Sequence, residues 1–227
     1  MLLSTVAATS VTTFTELSEA IIGGSSAIDI TMDLTFTACV SISESVSITS
    51  STSRKCDGAS SVRHFDVASG TLTLSYVELS NGNSMENGGS IYVHTDAALI
   101  ASYVTFNTNQ ATSGGSIYAN TDATLNVSYA TFNANRATGN YAGAVFCYGC
   151  NSSITYSMFS SNSAASYGGA MLAWNGCMDI SHSSFGNNQS PNSCGGGLAT
   201  YLSLVTVADS TFAQNSAEVS DYLRLKC

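Results

Sequence analysis

The spacing of apolar positions changes along this chain, and each change marks a different element. Between Thr13 and Ile22 (TFTELSEAII) the apolar residues Phe14, Leu17, Ala20 and Ile21 recur at intervals of three and four, the stripe of one helical face, and Gly23-Gly24 ends it. Beyond that helix the interval falls to two. Ile28-Asp-Ile30-Thr-Met32-Asp-Leu34, Val40-Ser-Ile42 and Val46-Ser-Ile48 alternate apolar with polar residues, which predicts short strands buried on one face. The polar run 50–61, with Cys56 and Gly58, reads as a loop protruding between such strands.

From Val67 the alternation settles into a fixed frame. Phe-x-x-Asn recurs at Phe106 to Asn109, Phe132 to Asn135, Phe159 to Asn162, Phe185 to Asn188 and Phe212 to Asn215, with steps of 26 and 27 residues, and Leu79 opens a degenerate copy. A second element follows each time: Gly88-Gly89-Ser90-Ile91, Gly114-Gly115-Ser116-Ile117, Ala142-Gly143-Ala144-Val145, Gly168-Gly169-Ala170-Met171 and Gly195-Gly196-Gly197-Leu198. A repeat of this length is one coil of a stack, because a single unit cannot close its own core. Inward slots then line up from coil to coil as Leu72 and Leu74, Leu99 and Ala101, Leu125 and Val127, Ser152 and Ile154, Met178 and Ile180, Val205 and Val207. Each coil is expected to give two or three short strands separated by Gly- and Asn-marked bends.

The repeated residues have structural uses first. Asn109, Asn135, Asn162, Asn188 and Asn215 occupy one bend of successive coils. Stacked about 4.8 Å apart, their amides can hydrogen-bond along the stack and offset the roughly 2 to 7 kcal/mol of burying an unpaired amide. The Gly pair suits a bend with positive φ, or a backbone approach that a Cβ would block. Phe fills the corner beneath it.

Phe-x-x-Asn alternating with Gly-Gly-Ala-Ile-like sites resembles the repeats of the chlamydial polymorphic outer membrane proteins. The run from Phe65 through Gly70 to Leu74 (FDVASGTLTL) is similar to the lead-in of right-handed β-helices of the pectin-lyase-like class. The resemblance covers Phe65 to Asn215. It implies an all-β fold, a single-stranded right-handed parallel β-helix of roughly eight coils, about 38 Å long. The whole of 1–227 is then one domain, with a capping helix at 13–22, irregular first coils at 28–66, regular repeats at 67–216 and a C-terminal end at 217–227. It also implies a surface-displayed adhesin of autotransporter type, although no translocator barrel lies within this chain.

Composition narrows the choice of function. Only 9% of residues are charged, 44% are hydrophobic, and the net charge of −9 is spread without a basic patch. Such a surface argues against nucleic acid and anionic lipid as partners. No apolar run is long enough to span a membrane, and Met1 to Ser10 lacks the basic start of a signal peptide. Seven cysteines and sequons at Asn126, Asn151 and Asn188 fit an oxidising, extracellular or cell-surface location, outer membrane-associated in a bacterium.

Four candidate chemistries remain. Tyr76, Tyr103, Tyr129 and Tyr156 share the slot three residues before the Phe position, a column that can stack for stability or contact a glycan or partner surface. A second outward column runs through His94, Asn120, Tyr148, Trp174 and Tyr201, with Tyr92, Tyr118 and Phe146 beside it. Asp96 and Asp122 share one slot and could hold Ca²⁺, but each lies in Thr-Asp-Ala, so a solvated bend is the preferred reading; the acid is lost at the positions counted as equivalent, Cys150 and Gly176. His64, His94 and His182 fall in different slots without metal-ligand spacing, so no metal or cofactor is expected.

Cys150 and Cys177 fall in the same bend of adjacent coils and are expected to bridge, with Cys39 and Cys56 as a weaker second pair. The pairing of Cys147, Cys194 and Cys227 stays open. A polysaccharide lyase or hydrolase on this fold needs converging carboxylates and basic groups, and the only basic residue between Arg63 and Arg224 is Arg136. The expectation is therefore a non-enzymatic adhesion or structural module without catalytic residues, the alternative being a polysaccharide-active enzyme or a degenerate relative of one. An ice-binding solenoid would need a regular Thr face, and Glu78, Met158 and Ser184 interrupt Thr105, Thr131 and Thr211.

Overall fold

In the computed structural model, which describes residues 7–218 and the strand Tyr222–Leu225, the chain winds into a parallel β-solenoid of about 7 turns. One coil shows the circuit: Ile117–Ala119, Thr124–Ser128, Thr131–Asn133 and the short Arg136–Ala137 follow one another around the axis. Each strand pairs in parallel with its counterparts one coil before and one coil after. Ile117 sits between Ile91 and Val145, Leu125 between Leu99 and Ser152, and Phe132 between Phe106 and Phe159. The solenoid thus has four faces, numbered here first to fourth in that order. The first is an 8-stranded ladder. The second and third join into one sheet because Val46–Asp57 and Thr71–Ser80 each run straight through both.

What turns the chain at each corner is a residue with left-handed backbone. In the coil around Phe132 these are Asp122, Tyr129 and Ala134, with φ of 59°, 51° and 53°, and Ala142 with φ 54° opens the next coil. The second residue of the Gly pair has a different requirement. A Cβ on Gly143 would stand 2.1 Å from the carbonyl oxygen of Gly169 and 2.5 Å from the nitrogen of Ser163, both backbone atoms. No side chain fits there, so coils close up at this corner to a distance only glycine allows.

Most inward slots are filled as the alternation predicts: Leu72, Leu74, Leu99, Leu125, Ile154 and Ile180 are buried, whereas in the last coil Val205 is half-buried and Val207 exposed. The corner phenylalanines Phe106, Phe132, Phe159, Phe185 and Phe212 stack face to face, 4.5 to 4.6 Å between centroids. Beside them lie the five asparagines. Asn135 donates from Nδ2 to the carbonyl of Phe106 (3.0 Å) and to Oδ1 of Asn162 (2.9 Å), and its backbone N–H donates to the same Oδ1 (2.9 Å). Asn109, Asn162 and Asn188 repeat this set toward Asn135, Asn188 and Asn215. Asn215 donates to the carbonyl of Phe185 at 3.0 Å. All but Asn215, at 7%, are fully buried, and each amide is satisfied by the neighbouring coils.

At the start of the stack the helix Phe14–Ile22 is capped by Thr13, whose hydroxyl accepts from the Glu16 N–H, while the Glu16 carboxylate accepts from the backbone N–H of Thr12. This reciprocal arrangement is a variant of the capping box in which the glutamate reaches one residue beyond the N-cap. Phe14, Leu17, Ala20 and Ile21 lie on the core, with Phe14 against Phe36 at 5.0 Å, so the helix closes the end of the stack. Upstream of it, Thr9–Val11 pairs with Ala27–Ile30.

One expectation fails in this region. Residues 50–57 do not protrude but complete the strand Val46–Asp57, and Cys56 points inward in register with Leu34 and Leu79. The irregularity is a bulge between Thr49 and Arg54 around Ser53, whose φ is 54°. A polar strand interrupted by a bulge looks, in sequence, like a loop. The Phe slot is therefore filled by Cys56 in this coil, and burial pushes its thiol up to about 12.

Candidate functional site

The tyrosine column lies at the corner between the second and third faces. Tyr76, Tyr103, Tyr129 and Tyr156 have φ between 49° and 56° and are 47% to 49% exposed. Their rings stack in parallel at 4.8 to 4.9 Å, and His182 continues the stack 4.6 Å beyond Tyr156. A left-handed backbone costs a bulky residue roughly 1 kcal/mol or more, which ring stacking offsets. Tyr103 and Tyr129 have a neighbour on both faces, so what they present to solvent is their edges and hydroxyls.

A ladder that the sequence reading missed runs just inside. Ser157, Ser183 and Ser210 each accept at Oγ the backbone N–H from the coil before, at 3.0 to 3.1 Å.

The first face carries aromatics of another kind. Its outward mid-strand residues are Asp66, Tyr92, Tyr118, Phe146, Leu172 and Ala199, one per coil. Residues from the loops before each Gly pair, Tyr141 and Tyr167 among them, lean over this row from one side, and Tyr148, Trp174 and Tyr201 stand along the other. The result is a groove parallel to the solenoid axis with a floor of about 24 Å, taking six coils at the interstrand spacing. Tyr92 and Tyr118 still stack, 5.1 Å apart and 11° from parallel, but beyond Tyr118 the order is lost. Tyr118 meets Phe146 edge-on at 86°, Tyr141 meets Trp174 at 74°, and Trp174 meets Tyr201 at 53°.

Tilted rings leave spaces. Tyr118, Tyr141, Phe146, Tyr148 and Trp174, with Asn87 and Ser113, border an open hollow of about 260 Å³. Tyr141, Tyr167, Trp174 and Tyr201, with Thr200, enclose another of about 190 Å³. Burial pushes the Tyr118 hydroxyl up to about 12, which keeps it protonated and able to donate.

At its N-terminal end the groove opens into a third hollow of about 440 Å³, lined by Arg63, Asp66, Glu86, Asn87, Tyr92 and His94. These residues belong to different slots of the repeat, and sequence spacing did not bring them together. Arg63 donates to the carbonyls of Gly88 (2.9 Å) and Asn87 (2.7 Å), to Ser84 Oγ (3.0 Å) and to Asp66 Oδ1 (3.3 Å), and its guanidinium lies over the Tyr92 ring. Asp66 Oδ1 is also 3.0 Å from His94 Nε2. Glu86 stands at the rim, its side chain 85% exposed and 3.9 Å from Arg63.

The cysteines differ from expectation. Cys150 is bonded to Cys147, and Cys177 is free and exposed, so the predicted Cys150 to Cys177 bridge is absent. The cause is a register error of one residue. Cys177 pairs with Asn151, while the residue stacked on Cys150 is Gly176, and neighbouring residues of a strand point to opposite faces. Cys147 and Cys150 are both buried and tie the end of a first-face strand to the corner that follows it. Cys39 is exposed and Cys56 fully buried, and both are free, so that pair is corrected as well. Cys194 is also free, and Cys227 lies outside the described residues.

A one-residue shortening of the bend after Val145 shifts the aspartate slot. The positions equivalent to Asp96 and Asp122 are Gly149, Asn175 and Leu202, all with positive φ, not Cys150 and Gly176. Both aspartates are exposed at this corner, and among the described residues no group of three His, Cys, Asp or Glu side chains is placed to hold a metal. Asn126 and Asn151 are exposed on the second face, whereas Asn188 belongs to the buried ladder.

No helix among the described residues is long and apolar enough to cross a membrane. No family model, no curated protein and no solved structure matches this chain. The likeness to polymorphic outer membrane protein repeats therefore rests on the motif residues, and what stands on coordinates is the parallel solenoid itself.

Proposed function

We propose that this solenoid is a non-catalytic adhesion module, secreted or displayed at a cell surface, that holds carbohydrate along the first-face groove. The observation that carries this reading is the pair of adjoining hollows that share Tyr141 and Trp174 as a common wall. Each is smaller than the roughly 300 to 1,000 Å³ of a site that engulfs a whole small molecule. Two such spaces in line along a straight groove suit successive units of a linear polymer. Aromatic walls with hydroxyls and amides at their rims match sugar rings, which are apolar on one face and polar at the edge. The Tyr76, Tyr103, Tyr129 and Tyr156 column is assigned the structural role, since stacking covers the faces a sugar would use.

Binding is tested on a glycan array and by titration of Trp174 fluorescence. Trp174→Ala is expected to weaken carbohydrate binding by about 2 kcal/mol, roughly 30-fold. Wild-type protein that captures no carbohydrate, or a Trp174→Ala variant that binds as tightly as wild type, would defeat the reading.

A polysaccharide-active enzyme is the second reading, favoured by the meeting of Asp66, His94 and Glu86 in one hollow. It ranks lower because the half-buried carboxylate, Asp66, already binds Arg63 and His94 through one oxygen, and Glu86 is held by little. Release of new reducing ends from a polysaccharide, abolished by Asp66→Asn, would reverse the ranking.

A further inference from the structure

The charges around the groove select among carbohydrates. Arg63 is its only cationic side chain among the described residues, apart from a protonated His94. Four of the five guanidinium donors already bond Gly88, Asn87, Ser84 and Asp66. Its remaining role is to brace the 84–88 loop against the first face. A ligand carboxylate or sulfate would find no free donor fork there, and it would meet the net −9 of the chain.

What the hollow does offer is acceptor capacity. Glu86 is exposed at the rim with only a 3.9 Å approach to Arg63, and Asp66 keeps its second carboxylate oxygen free of hydrogen bonds to Arg63 and His94. Tyr92 and the aromatic hollows beyond provide ring contacts next to this negative end.

Resting on the carbohydrate-binding reading above, we propose that the groove takes a linear glycan bearing free amines, an oligomer of glucosamine type. A ring carrying an ammonium group sits between Glu86 and Asp66, and the rings that follow lie against Tyr118, Tyr141 and Trp174. The polymer runs along the axis because both aromatic hollows lie on one side of the acidic one. A glycan of uronic acids is excluded by charge, and a neutral one binds through the aromatic part alone.

Three probes of equal length separate these outcomes in calorimetric titrations at low salt: a glucosamine oligomer, its fully N-acetylated counterpart and an oligogalacturonate. The buffer keeps the amines protonated and Glu86 ionised. The amine-bearing oligomer is expected to bind about three- to five-fold more tightly than the acetylated one, as an exposed ion pair allows, and oligogalacturonate not at all. That advantage should vanish in Glu86→Gln, a change at an exposed side chain that leaves the fold intact, and should shrink as salt screens the pair. Equal binding of the amine-bearing and acetylated oligomers, tighter binding of oligogalacturonate, or an advantage that survives Glu86→Gln overturns the amine assignment while leaving carbohydrate binding in place. Failure of all three probes overturns the amine assignment, and carbohydrate binding falls with it only if the glycan array also captures nothing.

Discussion

Two sets of aromatic side chains project from this solenoid, and they differ in order more than in composition. At the corner between the second and third faces, four tyrosines repeat one conformation and stack within 6° of parallel. On the first face Tyr92 and Tyr118 stack at 11°, but beyond them tyrosine, phenylalanine and tryptophan replace one another, and Tyr118 with Phe146, Tyr141 with Trp174 and Trp174 with Tyr201 cross at 53° to 86°. The repeated column satisfies itself: each inner ring has its own kind above and below. The varied one cannot, and it leaves hollows. In a translational fold, regularity stabilises and departure from it makes room for a ligand.

The most severe test removes the frame on which both sets hang. Gly143→Ala places a methyl 2.1 Å from the Gly169 carbonyl at the corner between Tyr141 and Phe146. It is expected to cost at least about 4 kcal/mol, seen as loss of soluble protein or collapse of the urea midpoint. A variant that folds normally would show that the close approach of coils at this corner is not required.

A pH series loosens the stack from one end. His64 is fully buried, with Nε2 3.0 Å from the Cys56 carbonyl and Nδ1 3.1 Å from Ser90 Oγ, and desolvation lowers its pKa from 6.5 to about 4. The folded state therefore binds this proton less readily than the unfolded one. Stability is fully present above pH 6.5 and falls as pH drops toward 4, by on the order of 3 kcal/mol. Chemical denaturation between neutral pH and that limit measures it, and His64→Gln should flatten the slope. A wild-type profile that is already flat contradicts the burial.

Asn162→Ala acts at mid-stack and should disturb both aromatic sets alike. It leaves the Phe132 carbonyl and the Asn135 donors unpaired, a loss of about 1 to 3 kcal/mol. A change below about 0.3 kcal/mol would mean that the ladder is replaceable by water.

The smallest effect on stability divides the two sets directly. Replacing Tyr103 and Tyr129 by Ser should cost about 1 to 2 kcal/mol and leave carbohydrate titrations of the first-face groove unchanged. Weakened binding in that double variant would return the contact role to the column.

The parts of this molecule that obey the repeat were legible in the sequence. The inward Leu and Ile of the second face, the corner Phe and the buried Asn recur at 26 or 27 residues, and stacking demands like upon like. The parts that were not legible depend on where an inserted residue falls. The step from Ile117 to Val145 is 28, while the bend after Val145 is one residue shorter than its predecessor. Counting from the Gly pair therefore set Cys150 and Gly176 level with Asp96 and Asp122, where the structure sets Gly149 and Asn175; Cys177 stands eight residues after Gly169 and Cys150 seven after Gly143, one residue out of step. The acidic hollow was hidden for a related reason. Arg63, Asp66, Glu86 and His94 hold four different positions of the repeat, and a search within slots never compares a wall of one coil with the floor of the next. Tyr141 and Tyr167 lie in loops outside the strand slots altogether.

The ladder of asparagines also sets how the molecule should respond to force. Each coil bonds only to the coil on either side, so tension applied at the chain ends strips the stack one layer at a time, beginning at an end. Every released layer of 26 or 27 residues adds roughly 90 Å of extended chain. Because the layers are held by nearly the same set of amide bonds, successive ruptures should occur at similar forces, giving an evenly spaced sawtooth. A stack made this way lengthens under load without losing the layers that remain.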